Sequence, residues 1–264
     1  MSSARAARIV QTANPSGILV ILGVLALWQL AVATGILNLR YLPAPTDIAV
    51  EAGALVASGK LFVDMGHTLG TTLVAGGIGA AIGIALGIVF GLFQTFRLYS
   101  ASSIDFLRTI PVTALVPVAL LIWGPSNLSE IVVAAYAATW PILINTAGGV
   151  RSISPRLYDV AAVLRLPRPA VLAKVIVPAA AQQILVGLRL GIVTALVLAI
   201  VAEMLINPRG LGWGVIQAQN ALAPERLWAY TLTIGLLAYV LNMLLVLLVR
   251  VALPGSARQM ADAR

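Results

Sequence analysis

Long apolar runs alternate with short polar segments along the chain. Each run is close to the roughly 20 residues that a helix needs to cross a bilayer. The pattern predicts an all-α, polytopic membrane protein with six transmembrane helices. The predicted spans are 17–37, 69–93, 104–123, 128–149, 180–206 and 228–250.

The first span has an alternative interpretation as a signal peptide. Arg5 and Arg8 precede it, and Ala31-Val32-Ala33 fits a small-residue cleavage pattern. The run at 17–37 is longer than the usual core of a signal peptide, however, so we expect it to be retained as a membrane helix.

The third span is the least regular, because Pro111 and Pro117 interrupt it. Neighbouring helices in a bundle can satisfy the carbonyl groups that a proline leaves free. Two interpretations stay open: a proline-broken span that lines a solute path, or a kinked helix that only packs.

Composition supports the membrane assignment. Hydrophobic residues make up 60% of the 264 residues and charged residues only 10%, whereas soluble domains carry about 25% charged residues. The absence of cysteine excludes disulfides and thiolate metal sites. The net charge of +8 does not indicate a nucleic-acid partner, because the charges lie between apolar runs and line no common face.

Basic residues predict the orientation. Twelve of the 17 lysines and arginines fall in one set of loops, which we expect to be cytoplasmic. The predicted organisation is a cytoplasmic tail at 1–16, a transmembrane domain at 17–253 with a cytoplasmic loop at 150–179, and a cytoplasmic tail at 254–264.

The external segment 38–68 is predicted to contain one helix. Leu42-Pro43-Ala44-Pro45 favours an extended start, Thr46 and Asp47 suit the N-cap, and Gly59 suits the end. We expect this helix to lie along the outer membrane surface.

Glycine recurs at every fourth position of the second span, at Gly79, Gly83, Gly87 and Gly91. These residues share one helical face and remove side-chain bulk from it, so another helix can approach closely. We interpret the stripe as a packing face, and whether its partner helix belongs to the same chain stays open.

Enzymatic activity is not expected. His67 is the single histidine, and one histidine does not supply a metal cluster, so we predict no metal site. We interpret it as an interfacial polar residue. Gly59-Lys60 is the only Gly-Lys pair, and Leu61 follows it where a phosphate-binding loop needs Ser or Thr. If ATP drives this protein, another chain binds the ATP.

The loop before the fifth span is the most informative segment. The stretch 158–166 is predicted to be a short helix that Pro167 and Pro169 end, and 170–177 a second helical stretch before Pro178. A mostly apolar helix in a cytoplasmic loop needs a surface to bury against. A partner protein and the lipid headgroups are both candidates.

This loop resembles the E-A-A-x3-G-x9-I-x-L-P signature of permease subunits of ABC importers. Arg165 stands where the signature has glycine, which adds charge and makes the turn less permissive. Pro167 lies within the variable stretch. The other signature positions hold Asp159, Val160, Ala161, Val175, Val177 and Pro178.

Further stretches are similar to the nitrate, sulfonate and taurine group of these permeases. They cover roughly 40–215 in the expected order. They are L-P-x-P at 42–45, R-x-x-P-x-x-A-x-x-P at 108–117, G-L-R-x-G at 187–191, and A-E followed by R-G-L-G within 202–212.

The resemblance implies a type I ABC importer permease in the bacterial inner membrane. Two copies, expected as a homodimer, would form the path through the bilayer. Each would insert the helix at 159–169 into an ATPase subunit that binds ATP and Mg²⁺. A periplasmic binding protein would deliver a small polar solute of the nitrate, sulfonate or taurine class. Asp159, at the expected helix start, would suit the helix dipole.

Polar residues within the spans are candidates for the solute path. Glu203 and Arg189 lie about 21 Å apart along one helix, so they cannot pair directly. Glu203 is expected to pair with Arg209 or with a residue of another span. Each candidate could instead form a helix–helix hydrogen bond. The other candidates are Arg108, Thr194 and Asn145.

A self-contained secondary transporter or channel is the alternative function. It requires buried acidic residues that bind protons or sodium. We count Glu203 alone inside a confident span, which disfavours this alternative. An intramembrane enzyme would need a nucleophile–base pair or a metal set, and the sequence supplies neither.

Overall fold

The computed structural model describes residues 15–37 and 39–252. Most of the predicted tail 1–16 and all of the predicted tail 254–264 lie outside these ranges. The described residues form helices joined by short turns, without strands. In chain order these are α1 (Pro15–Ala33), α2 (Pro45–Ala57), α3 (Lys60–Leu92), α4 (Gln94–Thr109), α5 (Val112–Trp123), α6 (Asn127–Arg151), α7 (Pro155–Val163), α8 (Arg168–Val171), a π-helical turn (Leu172–Ile176), α9 (Val177–Leu205), α10 (Gly210–Asn220) and α11 (Pro224–Ala252).

The core of the bundle consists of α3, α6 and α9, with α6 packed between the other two. Small side chains dominate where these helices meet: Ala75, Ala138 and Ala195 are all fully buried. Small residues let helix backbones approach closely, which increases the dispersion contacts that hold membrane helices together.

The glycine stripe of α3 lies against α6 of the same chain. A methyl group added at any of the first three glycines would come within 2.8 Å of a Cβ atom of α6. The stripe and its partners therefore interlock at four successive helical turns. The facing pairs are Gly79 with Ala138, Gly83 with Ile142, Gly87 with Thr146 and Gly91 with Val150.

Glycines of α9 approach α6 from the other side. A methyl group at Gly187 would lie 2.9 Å from the Asn145 Cβ, and one at Gly191 would lie 2.9 Å from the Ala138 carbonyl oxygen. Backbone approach on both faces of α6 thus sets the spacing of the three core helices.

Four helices of the described chain are long and apolar enough to cross a membrane: α3, α6, Arg168–Leu205 and Pro224–Val249. They contain the fourth predicted span and all but the last residue of the second, fifth and sixth. Each helix begins before the predicted start, because polar residues extend the apolar run there. The first predicted span corresponds to α1, whose apolar part Leu19–Ala33 is shorter.

The third predicted span, 104–123, is bent. Helices α4 and α5 meet at 81°, and the break falls at Ile110, which has extended backbone with φ −60° and ψ 122°. The ring of Pro111 disfavours helical geometry in the residue before it. Pro117, by contrast, lies inside α5. Counted as one broken span, this pair raises the number of crossings in the described chain from four to five.

The loop before the fifth span continues into it without a break. The Val177 N–H donates to the Leu172 carbonyl, which is the five-residue spacing of a π-helix. In a regular helix the ring of Pro178 would crowd the Lys174 carbonyl. The wider turn relieves this crowding, so Arg168–Leu205 is one helix of 38 residues.

Helix α2 begins two to three residues earlier than predicted. Its N-cap is Ala44, so Thr46 and Asp47 lie inside the helix and do not cap it. Instead, Gln29 of α1 exchanges two hydrogen bonds of 3.2 Å with the side chain and backbone N–H of Thr46. Gly59 follows the helix end with φ +73°, the left-handed conformation that glycine favours.

We predict that Gly83→Ala destabilises the bundle. Its added methyl group would lie 2.8 Å from both the Ile142 Cβ and the Thr139 carbonyl oxygen, and overpacking costs about 1–3 kcal/mol. Thermal unfolding of the purified chain in detergent measures the effect.

Gly77→Ala is the matched control, because a methyl group there meets no atom within 4 Å. Replacing a helical glycine by alanine stabilises by roughly 0.5–1 kcal/mol. Equal melting temperatures for the two variants would contradict a role of the stripe in helix spacing.

Candidate functional site

A buried polar cluster joins the start of α3, the start of α6 and the end of α9. We name it the outer cluster, after the predicted orientation, and define it as His67, Thr68, Thr71, Glu130 and Glu203. The Thr68, Glu130 and Glu203 side chains are fully buried. Because burial of an unpaired carboxylate is costly, protein groups must satisfy these side chains.

Glu203 holds the first turn of α10. Its Oε2 accepts hydrogen bonds from Thr68 Oγ1 at 3.0 Å and from the Gly212 N–H at 2.9 Å. Thr68 Oγ1 accepts from the Leu211 N–H at 3.0 Å. Two N–H groups that a helix start leaves free are thereby paired. Of the two predicted pairings for Glu203, the structure has the one to another span, at Thr68, and not the one to Arg209.

Glycine at two positions of α10 makes room for this carboxylate. Gly210 has φ +87°, and a Cβ there would overlap the Glu203 carboxyl group. A Cβ at Gly212 would lie 2.9 Å from the Glu203 Cβ. The A-E and R-G-L-G stretches of the sequence are thus two halves of one packed contact.

Glu130 ties α6 to α3. Its Oε2 lies 3.1 Å from His67 Nε2 and accepts a hydrogen bond from Thr71 Oγ1 at 3.3 Å. The His67 side chain is 14% exposed, so it reaches the cluster from the edge. About one turn earlier in α3, Asp64 Oδ2 accepts a hydrogen bond from the Tyr230 hydroxyl of α11 at 2.7 Å.

Glu130 and Asp64 are absent from the predicted candidates, and the count of a single buried acid is wrong. Glu130 lies inside the predicted span 128–149. One sequence pattern does indicate the buried polar residues of α3. Asp64, Thr68 and Thr71 recur at helical spacing and therefore share one face of the helix.

His67 does not stand alone as a candidate metal ligand. One ligand atom each from His67, Glu130 and Glu203 lies within 4.8 Å of the other two. The prediction of no metal site rested on His67 being isolated in sequence, and that premise does not hold in the folded chain.

At the opposite end of the bundle, α7 and the start of the fifth span enclose an apolar groove of about 290 Å³. We name it the α7 groove. Val160 and Leu164 remain 54% and 63% exposed beside it, while Ala161 is buried. Four of the predicted loop residues line the groove, namely Val160, Ala161, Val175 and Pro178.

Arg165 occupies a conformation that glycine favours. Its φ is +48°, and it forms the left-handed C-terminal cap of α7. The Arg165 N–H donates to the Ala162 carbonyl at 3.0 Å, and the Leu166 N–H donates to the Ala161 carbonyl at 3.1 Å. This pair of bonds is the usual helix cap that glycine permits. Pro167 then continues in extended backbone.

Asp159 does not stand at the start of its helix, so the predicted boundary is wrong. The helix begins at Pro155, and its first turn contains no acidic residue. Proline is favourable at a first helical position because its φ is already helical and its missing N–H would be unpaired there. The Asp159 side chain is exposed in the second turn. Val177, another predicted loop residue, is 38% exposed and does not line the α7 groove.

The predicted path residues are distributed over the bundle. Arg108 is exposed and pairs with Asp105 at 2.9 Å, while Arg189 is exposed and donates to Asn242 at 2.8 Å. Thr194 and Asn145 donate to carbonyl groups of their own helices, both at 2.8 Å. Glu203 is enclosed by the outer cluster. A single chain therefore does not gather these residues around one cavity.

Comparison with known proteins identifies a family for most of the chain. The family described as "Binding-protein-dependent transport system inner membrane component" matches residues 77–257. A putative aliphatic sulfonates transport permease protein, SsuC, of Bacillus subtilis is 30% identical over 81% of this chain and 77% of its own length. The SsuC protein of Escherichia coli is 34% identical over 77% of each chain.

Other similar proteins carry related descriptions. The nitrate import permease protein NrtB of Synechococcus elongatus is 35% identical over 45% of this chain and 42% of its own. Among solved structures, an inward-facing form of the MetNI methionine ABC transporter matches with a TM-score of 0.62 and 17% identity, covering 70% of this chain and 92% of that one. This likeness shows a shared type I importer permease fold.

We predict that Thr68→Val destabilises the outer end of the bundle. The substitution keeps the side-chain shape but leaves the Leu211 N–H without its acceptor and removes a donor to Glu203. Such losses cost about 1–3 kcal/mol. Thr72→Val is the control, since the Thr72 hydroxyl donates at 2.7 Å to the Thr68 carbonyl within α3. Thermal unfolding that shows equal losses for both variants would contradict the role of the cluster.

Proposed function

The chain belongs to the family of binding-protein-dependent transport system inner membrane components, and we propose that it serves as the permease of an ATP-driven importer. Two copies form the solute path in this proposal. A separate subunit binds and hydrolyses ATP, and a binding protein delivers the solute to the outer face. Both termini and the loop at 150–179 lie in the cytoplasm, as the distribution of basic residues favours.

The α7 groove carries the proposal of an ATPase partner. Its walls are mostly apolar, and Val160 and Leu164 expose more than half of their surface beside it. Apolar side chains of this size on a cytoplasmic loop gain free energy when a partner covers them. The groove also lies on the segment that resembles the coupling signature, from Asp159 to Pro178.

A rigid connection supports transmission of force from this groove. The helix Arg168–Leu205 has 38 residues, or about 57 Å at 1.5 Å per residue. It starts beside α7, and its last turn carries Glu203 of the outer cluster. Motion imposed at the groove is therefore carried along one continuous helix to the opposite membrane surface, and no flexible loop intervenes.

We propose an anionic solute of the sulfonate or nitrate class. The support is the sulfonate or nitrate transport described for the similar permeases, together with two exposed cations: Arg108, which pairs with Asp105, and Arg189, which donates to Asn242. Their positions on the chain surface fit a path shared between two copies. Planar guanidinium groups match the oxygen geometry of such anions.

We predict that Val160→Asp abolishes co-purification with the ATPase subunit. The new carboxylate would lose its hydration on docking, and a buried unpaired charge opposes association strongly. The permease and a candidate ATPase subunit are expressed together, purified in detergent through a tag on the permease, and quantified by gel electrophoresis.

Val50→Asp is the matched control. Val50 of α2 is 74% exposed and lies on the predicted external segment, so ATPase binding should be unchanged. Loss of the ATPase in the Val50 variant, or its retention in the Val160 variant, would contradict the assignment of the α7 groove.

We predict that Arg165→Gly raises the melting temperature of the complex and preserves ATPase binding. A left-handed conformation costs a residue with a Cβ about 1–2 kcal/mol, which glycine avoids. Part of this gain in stability is lost, because glycine has greater conformational freedom in the unfolded chain. Ala162→Gly, inside α7, is the control and should lower stability by about 1 kcal/mol. A fall in melting temperature for both variants would show that the arginine side chain, and not its backbone, decides stability there.

A further inference from the structure

The outer cluster brings three potential metal ligands together inside the bundle. We propose that His67, Glu130 and Glu203 bind one divalent transition-metal ion, Zn²⁺ or Mn²⁺, which links α3, α6 and α9. This site lies at the opposite end of the bundle from the α7 groove. Glu203, a predicted path residue, is enclosed within it, so the proposal does not depend on which solute is carried.

The charges of the cluster favour a cation. Both carboxylates are fully buried, while their observed donors are two hydroxyl groups, one backbone N–H and the partly exposed His67. Arg209 acts on His67 electrostatically, but its side chain is exposed. Two ionised carboxylates and a neutral imidazole carry a net charge of about −2, which one divalent ion cancels. The bound ion thereby offsets the cost of burying the two carboxylates.

Two buried oxygen atoms without hydrogen-bond partners are separate evidence for a bound cation. Glu130 Oε1 and Glu203 Oε1 are both buried without a hydrogen-bond partner. Buried carboxylate oxygens in native proteins are nearly always paired. Each acid thus has one oxygen committed to the helix contacts already described and a second available to a metal ion.

The distances suit coordination after a small adjustment. At metal–ligand distances of about 2.0–2.2 Å, two ligand atoms of a tetrahedral site lie about 3.4 Å apart. His67 Nε2 lies 3.1 Å from Glu130 Oε2, so Nε2 must give up its proton and this hydrogen bond to bind the ion. One ligand atom from each of the three residues falls within 4.8 Å of the other two. The remaining gap of at most about 1.4 Å closes when a carboxylate side chain turns toward the ion.

The ligand types select the metal. Imidazole nitrogen favours Zn²⁺ and other transition metals, while carboxylate oxygen also suits Mn²⁺. Mg²⁺ and Ca²⁺ prefer oxygen ligands throughout. We therefore expect Zn²⁺ and Mn²⁺ to bind and Mg²⁺ and Ca²⁺ to compete poorly.

Metal content of the purified full-length chain tests the proposal. The chain in detergent is treated with a chelator, incubated with Zn²⁺ or Mn²⁺ and passed through gel filtration. Its metal content is then measured by inductively coupled plasma mass spectrometry. Competition with a chromophoric chelator gives the affinity. We expect about one ion per chain and a higher melting temperature with Zn²⁺ than with chelator.

Two substitutions preserve the hydrogen bonds while weakening coordination. The amide of His67→Gln can still donate to Glu130, and the amide oxygen of Glu203→Gln can still accept from Thr68 and Gly212. Each should weaken Zn²⁺ binding at least about tenfold, since loss of a group that only orients a metal ligand already costs about 10–100-fold. Asp64→Asn is the matched control, because Asp64 is a buried acid of α3 bonded to Tyr230, and it should bind Zn²⁺ like the unsubstituted chain.

Several results would overturn the proposal. One is an unsubstituted chain that retains no Zn²⁺ or Mn²⁺ after gel filtration. Another is equal affinity in the His67→Gln variant, which would identify a surface ion only. If a substituted chain fails to fold, the stoichiometry and the Zn²⁺-dependent melting temperature of the unsubstituted chain still decide the question.

Discussion

Close approach of three helix backbones is the constraint on which the rest of the structure depends. In a bilayer, apolar side chains gain little by leaving lipid for protein, so contact area and polar pairing must hold helices together. Glycine on α3 and on α9 lets both helices touch the backbone of α6. That spacing brings His67, Thr68 and Glu203 within hydrogen-bonding distance of their partners. A wider bundle would leave the two buried carboxylates unpaired.

The two ends of the bundle are built on opposite principles. At the outer end, polar side chains face inward and bond to one another, so the end is closed by its own contacts. At the opposite end, α7 leaves apolar side chains exposed beside the α7 groove. The first end is held by contacts within one chain, apart from the two carboxylate oxygens that have no hydrogen-bond partner. The second leaves apolar surface uncovered. Helix Arg168–Leu205 joins the two.

Local patterns predicted the spans, the all-α class and the family, because apolar runs and signature spacing are properties of contiguous sequence. Pairings across the bundle were not predictable in the same way. Glu203 could be singled out as a buried acid, but its partner Thr68 is 135 residues away. Glu130 stands near the predicted start of the fourth span, where the sequence does not distinguish a buried acid from one in contact with water. Asp159 was misplaced within its helix, since the signature gives residue types but no helix start. The positive φ of Arg165 explains why the signature has glycine there.

The outer cluster also has a consequence for biogenesis. Ribosomes deliver the chain from its N-terminus, so α3 enters the membrane first, then α6, and α9 only later. His67 and Glu130 can meet once α6 has arrived, but Thr68 lacks its Glu203 partner until α9 follows, and Glu203 lacks the Gly212 N–H until α10 emerges. An unpaired polar group in lipid is costly, so a chain truncated before α9 would retain exposed polar groups that quality-control proteases and chaperones of the membrane can recognise. The same contacts that stabilise the finished bundle thereby distinguish complete chains from incomplete ones.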